Sequence, residues 1–231
     1  MPETVNKALV DELFNVGAHY GYSKSRRHPS VAPFIFGRKK NMEIIDLEKT
    51  SKQLEDAKAF VEQLAKDKKQ LLFVGGKRQS QRFIKDGADL VDQPYVNGRW
   101  IGGALTNFEQ IQKRTARLED LTTQREKGEL AKYTKKERLL IDREIERLEE
   151  NFKGILPMKK KPGAIFIIDA KHELNALNEG LKENIPIISL CSSDCDISKI
   201  KFPIVGNDSS IAAIEYVIKQ IVSAYEKGLK S

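Results

Sequence analysis

The sequence predicts an α/β fold with a parallel sheet, interrupted by an antiparallel coiled-coil helical hairpin. Three observations carry that expectation. Q-L-L-F-V at 70–74, A-I-F-I-I at 164–168 and I-P-I-I-S-L at 185–190 are short, mostly apolar runs, as strands buried on both faces require. They alternate with amphipathic stretches of helical period. Between the two blocks of alternation, residues 109–153 show no strand signal and a heptad-like spacing instead.

Taken in order, Val5, Leu9, Leu13 and Val16 recur at helical spacing, so the chain opens with a short amphipathic helix that Gly17 ends. Phe34–Phe36 and Glu43–Leu47 are strand-like pieces around the polar turn G-R-K-K-N. Glu48–Lys66 is a helix with Leu54, Ala57, Val61 and Leu64 on one face. The strand at 70–74 is closed by Gly75 and Gly76, a helix follows over about 79–90, and Tyr95-Val96 is a second short strand. Phe108, Ile111, Thr115 and Leu118 form one narrow seam, and Ile141, Ile145, Leu148 and Phe152 form another. The polar stretch between them contains Gly128, so the two helices zip together and project from the body. The strand at 164–168 ends in Asp169, and a helix spans about 173–183. After the strands at 185–190 and 202–205, Asp208 starts a long helix with Ile211, Ile214, Val217, Ile218 and Ile221 inward. Residues 1–107 and 154–231 thus make one discontinuous domain, with 108–153 as the inserted hairpin.

At 231 residues with 40% hydrophobic content the chain can bury a sizeable core. Its net charge is +7, which points to a polyanionic partner. The hairpin region carries 12 Lys/Arg against 11 Asp/Glu, so the excess lies on the α/β body. Residues 21–40 hold Lys24, Arg26, Arg27, Arg38, Lys39 and Lys40 with His28 and no acid. Lys68, Lys69, Lys77, Arg78 and Arg82 form a second cluster, and Lys159, Lys160 and Lys161 a third. Tyr20, Tyr22, Phe34 and Phe36 interleave the first cluster as possible stacking surfaces. A solvated charged loop explains one such cluster; three favour phosphate contacts. Two cysteines make no disulfide framework, and no apolar run has the form of a signal peptide or a membrane span, which points to a soluble, cytosolic protein.

Catalytic and cofactor motifs are incomplete. G-G-K-R-Q-S at 75–80 lies where a phosphate-cradling turn belongs, but it matches neither G-x-x-x-x-G-K-[ST] nor G-x-G-x-x-G. Asp169 stands at a strand's carboxyl end, where this fold class often places chemistry. Its other reading is a carboxylate that satisfies loop amides or caps the next helix. Cys191 and Cys195 lack the further ligands of a structural zinc site. No catalytic residue, metal or cofactor is expected.

The only tryptophan lies in Y-V-N-G-R-W-I-G-G-A-L-T-N-F, at the exit from the body into the hairpin. Gly98, Gly102 and Gly103 would let the backbone turn tightly. Thr106 or Asn107 would cap the first hairpin helix. Trp100 reads as a packing anchor rather than a stacking platform, and Arg99 as the residue of this stretch that meets the polyanionic partner.

N-V-G-A-H-Y-G-Y (15–22), P-F-I-F-G-R-K-K-N (33–41), I-I-D-L-E-K-T (44–50), R-W-I-G-G-A-L-T-N (99–107), P-G-A-I-F-I-I-D-A-K-H-E-L-N-A-L-N-E-G (162–180) and V-G-N-D-S (205–209) follow in one order. Together they resemble the ribosomal protein S-two family of the small ribosomal subunit, over nearly the whole chain; the hairpin resembles the bacterial and organellar branch. The resemblance implies a Rossmann-like, flavodoxin-like domain without catalysis. It implies binding to small-subunit ribosomal RNA at the head–body junction near the mRNA exit region. Lys24, Arg26, Arg27, His28, Arg38, Lys39, Lys40, Lys77, Arg78 and Arg99 are the expected RNA contacts. The expected partners are that RNA, neighbouring small-subunit proteins and, in bacteria, ribosomal protein S-one. No membrane and no second copy of the chain is expected.

Overall fold

The computed structural model describes residues 6–230; Val5, placed above in the first helix, lies outside them. Helix α1 (Lys7–Asn15) is capped by the Asn6 side chain, which accepts from the Leu9 amide. Strands β1 (Ile35–Lys39) and β2 (Met42–Ile45) pair antiparallel as a separate hairpin. Leu47 is the first residue of α2 (Leu47–Lys66) and does not continue the strand. Asp46 decides this: its carboxylate accepts from the Glu48 and Lys49 amides and so opens the helix one residue earlier.

Strand β3 (Leu71–Val74), helix α3 (Arg78–Leu90) and strand β4 (Tyr95–Val96) follow. The inserted hairpin is α4 (Phe108–Glu126) and α5 (Lys135–Phe152). Gly128, at φ +72°, turns the chain between them. Thr134 and Glu137 form a reciprocal capping box that starts α5. The chain returns through β5 (Ala164–Ile168), α6 (Leu174–Lys182), β6 (Ile187–Cys191), β7 (Phe202–Val205) and α7 (Ile211–Lys230). Pro186 falls outside β6, but its carbonyl still accepts from the Ile165 amide. Helix α7 starts later than expected. Asn207 Oδ1 accepts from the Ser209 and Ser210 amides, and Ser210 Oγ from the Ala213 amide. That turn leaves Ile211 exposed, not inward, and leaves Asp208 buried before the helix.

The five strands β4-β3-β5-β6-β7 form one all-parallel sheet. Counted within the sheet, the order is 2-1-3-4-5, that of the flavodoxin-like class. Alternate strand residues feed two cores. Leu71, Phe73, Phe166, Ile168, Ile188 and Leu190 pack under α1, α2, α3 and α7. Leu72, Val74, Ile165, Ile167 and Ile187 face α6, the Trp100–Leu105 segment and the base of the hairpin. Ile111, Leu118, Ile145, Leu148 and Phe152 of the hairpin seam belong to this second core, so the hairpin is rooted in the body. Thr115 of the expected seam is only half-buried, and Leu121 adds a buried position to it.

Candidate nucleic-acid interface

In this strand order a ligand crevice opens where the order reverses, outside the carboxyl ends of β3 and β5. Here the chain fills it with its own charges. Lys77, at the N-cap of α3, bonds to the Asp169 carboxylate and lies 3.4 Å from Asp208 Oδ1. Burial opposes the Lys77 ammonium, but Asp208 and then Asp169 outweigh it and hold its pKa above the usual lysine value. Burial, then the neighbouring Asp169, pushes Asp208 up to about 6 against the pull of Lys77. Asp169 adopts φ +60°, and its Oδ1 accepts from the Lys171 and His172 amides, each at 3.0 Å. Glu173 closes the other side, accepting from the Gly76 amide at 3.0 Å and lying 2.8 Å from His172 Nδ1. A Cβ on Gly76 would come within 2.6 Å of the Gly98 carbonyl oxygen, so two backbones meet where a phosphate would sit. Two carboxylates flanking Lys77 oppose an incoming anion at that point.

Outside this plug the surface is basic. Residues 21–30 lie across the carboxyl ends of β6 and β7. The Tyr22 amide donates to Ser193 Oγ at 2.9 Å, the His28 amide to the Ser193 carbonyl at 2.9 Å, and the Tyr22 hydroxyl lies 2.9 Å from Ser209 Oγ. The preceding segment runs beside β2, the Ile45 amide donating to the His19 carbonyl and the Glu43 amide to the Tyr22 carbonyl. That pairing fixes the β1–β2 hairpin to the same side of the domain.

The expected RNA contacts divide by environment. Lys24, Arg26, Arg38, Lys39, Lys40, Arg78 and Arg99 are exposed, and none has an acidic partner among the described residues. Arg26 lies over the Tyr22 ring at 5.6 Å, which steadies its guanidinium. Lys40 sits at the hairpin turn with φ +54°. Arg27 pairs with the buried Glu43 at 3.1 Å, and His28 caps a short 3₁₀ turn through the Ser30 amide, so both also support the fold. Lys77 is spent on the internal pair. Of the interleaved aromatics, Tyr20 and Phe36 are exposed, whereas Tyr22 and Phe34 are half-buried. The setting of His19 has no local sequence signal: its ring stacks on Phe14 at 4.6 Å beside Tyr20 at 4.0 Å. Burial, then the Lys39 charge, holds His19 below its usual pKa.

The segment around Trp100 is organised by one residue of the 162–180 motif whose role no local pattern shows. Glu179, on α6, accepts from Trp100 Nε1 at 2.9 Å and from the amides of Gly103, Leu105 and Thr106 at 2.8, 3.0 and 3.2 Å. The Thr106 hydroxyl donates to it as well, at 3.3 Å. Neither Thr106 nor Asn107 caps α4 through its side chain: Thr106 is engaged by Glu179, and Asn107 occupies the cap position without a side-chain bond. Of the three glycines, only Gly103 needs its freedom, at φ +89°; Gly98 and Gly102 have neither a positive φ nor a neighbour that a Cβ would meet. Trp100 itself is 5% exposed and packs in the second core. Cys191 and Cys195 are buried, and no group of three or more metal-ligating side chains occurs among the described residues. Nor is any helix among them long and apolar enough to cross a membrane.

The family described as Ribosomal protein S2 matches residues 13–228. A relative named small ribosomal subunit protein uS2, from Hahella chejuensis, is 40% identical over 227 residues, covering 98% of this chain and 90% of its own. A protein of the same name from a Nitratiruptor species is 41% identical over 219 residues, covering 95% of this chain and 82% of its own. Another from Helicobacter hepaticus is 39% identical over 219 residues, with 95% and 83% covered. With a match along almost its whole length, a flavodoxin-like sheet whose ligand crevice is plugged from within, and a rooted helical hairpin, the chain belongs to the ribosomal protein S2 family, structural constituents of the small ribosomal subunit and not enzymes.

Proposed function

We propose that this chain binds small-subunit ribosomal RNA through the carboxyl-edge loops and the β1–β2 hairpin, seated at the head–body junction near the mRNA exit region. In a bacterial ribosome that seat would also help recruit ribosomal protein S-one. The observation that carries the RNA reading is the set of exposed, acid-free cations from 24–26, 38–40, 78 and 99 gathered on one side of the domain. The junction and the S-one contact rest on the family resemblance. Affinity comes mainly from phosphate neutralisation, with release of condensed counterions.

If about six phosphates are contacted, log K falls with log salt at a slope of about −4 to −5. Filter binding of the purified chain to small-subunit rRNA, repeated across salt, measures this. Replacing Arg26, Arg38, Lys39 and Arg99 together by Ala is expected to flatten the slope by about 3 units, close to one per phosphate lost. Arg27 is left in place because its removal would strand the buried Glu43 carboxylate. A flat salt response of the unmodified chain, or a slope that the four substitutions leave unchanged, overturns the reading.

A further inference from the structure

We propose that the amino edge of the sheet carries a second polyanion-binding surface, a lysine cleft that takes the phosphate backbone of an RNA segment other than the one on the carboxyl edge. The proposal rests on the RNA-binding reading above. The cleft has a volume of about 530 Å³. Lys68 and Lys69 come from the turn between α2 and β3, and Lys159, Lys160 and Lys161 from the segment between α5 and β5. The two turns are fastened together where the Gln70 amide side chain donates to the Pro157 carbonyl at 3.1 Å. β3 and β5 are parallel neighbours, so both turns lie at the strands' amino ends. The carboxyl-edge cations lie at the other end, a strand length of about 13–17 Å away at 3.3 Å per residue. The two sets of cations therefore open at opposite ends of the sheet.

Charge and backbone both favour a ligand here. Lys69 lies 3.4 Å from Asp67 and Lys159 3.0 Å from Glu119, and Lys161 pairs with Glu183. Lys68 and Lys160 have no acidic partner among the described residues, so the cleft keeps a net positive charge. The Lys69 and Lys159 side chains are 59% and 70% exposed, and such open pairs are weak enough to exchange for phosphate. Lys68 holds φ +55° just after the cap of α2, the place where a helix usually ends in glycine. A lysine kept in a strained glycine position points to a use for its charge outside the fold. RNA fits better than an acidic protein. Pro157 is the one apolar side chain lining the cleft, so a protein partner finds no pocket for an anchoring residue. Ammonium groups neutralise phosphates singly and need none.

The test uses the full chain, purified small-subunit rRNA and whole small subunits, with lysine acetylation read residue by residue by mass spectrometry. Lys68 and Lys160 are expected to lose reactivity on binding rRNA, and to lose it as well in the chain carrying Arg26, Arg38, Lys39 and Arg99→Ala at a salt low enough for that chain to bind. The double substitution Lys68→Gly with Lys160→Gln is expected to flatten the salt slope by about 1.5–2 units. Glycine relieves the strain at φ +55°, so its unfolding midpoint is expected to stay level or rise by about 1–4 °C, which separates lost charge from a damaged fold. Unchanged reactivity of Lys68 and Lys160 in the RNA complex, or an unchanged slope in the double variant, overturns the second surface while leaving the first intact. Protection that appears in whole subunits but not with rRNA alone assigns the cleft to an acidic protein and also overturns it. An unmodified chain that fails to bind rRNA overturns the first reading, and this one with it.

Discussion

Replacing Lys77 by Ala is expected to destabilise the protein by about 3–5 kcal/mol at pH 8, because it leaves buried carboxylates without their cation. The Asp169 and Asp208 side chains are 10% and 1% exposed, so water cannot take the ammonium's place. The loss should depend on pH through Asp208, whose carboxyl is raised from 3.8 to about 6. A folded pKa above the unfolded one means that the folded state holds the proton more tightly. The contribution of this group is therefore fully present below about pH 4 and is lost as pH rises through about 6, on the order of 3 kcal/mol in the unmodified chain. Without Lys77 the folded pKa climbs further, so the loss on raising pH runs deeper. Near pH 5 Asp208 is protonated in both chains, and the cost of Lys77→Ala should shrink to about 1–2 kcal/mol, mostly the unpaired Asp169. Urea unfolding across pH 5–8 reads this directly. Adding Asp208→Asn to Lys77→Ala should restore much of the stability at pH 8. A cost that does not change with pH would contradict the account.

The Lys77 cluster also marks where sequence reasoning stopped. The strands were legible because β3, β5 and β6 are buried on both faces and so read as apolar runs. The hairpin was legible because its seam repeats like a coiled coil and its turn carries Gly128. Element ends moved wherever a side chain chose the cap, as Asp46 did for α2 and as Asn207 and Ser210 did for α7. Charge was legible as a density but not as a pairing. Lys77 and Arg78 are adjacent in G-G-K-R, yet one is half-buried between two carboxylates and the other faces solvent. By sequence Asp208 reads as a helix start, and nothing local to V-G-N-D-S shows that it faces a lysine from the opposite half of the domain. Lys68 and Lys159–Lys161 read as two separate clusters, because only the pairing of β3 with β5 brings their turns together.

Glu179 is the clearest case of a residue that local pattern could not find, and its removal is expected to have the other largest effect. Its carboxylate gathers the Trp100 indole, three amides and the Thr106 hydroxyl, all from a segment distant in sequence. Burial works against the charge, but the hydrogen bonds from Trp100, then from the Leu105, Gly103 and Thr106 amides, outweigh it and hold the carboxyl below its ordinary value. Glu179→Ala strips all of these donors of their acceptor where α4 leaves the body, at an expected cost of about 3–4 kcal/mol. Glu179→Gln keeps the volume and one acceptor oxygen, so about half that cost is expected. Because the folded pKa lies below the unfolded one, the carboxylate's contribution is present above the ordinary glutamate pKa and disappears as pH falls through the lowered value. The unmodified chain should therefore lose stability on acidification in a step that Glu179→Gln lacks. Trp100 fluorescence should report the same event, since its Nε1–H loses its acceptor and its corner of the core opens to water. If Glu179→Ala unfolds at the same urea concentration as the parent, or Trp100 emission is unchanged, then the segment is held by packing in the second core and not by the carboxylate.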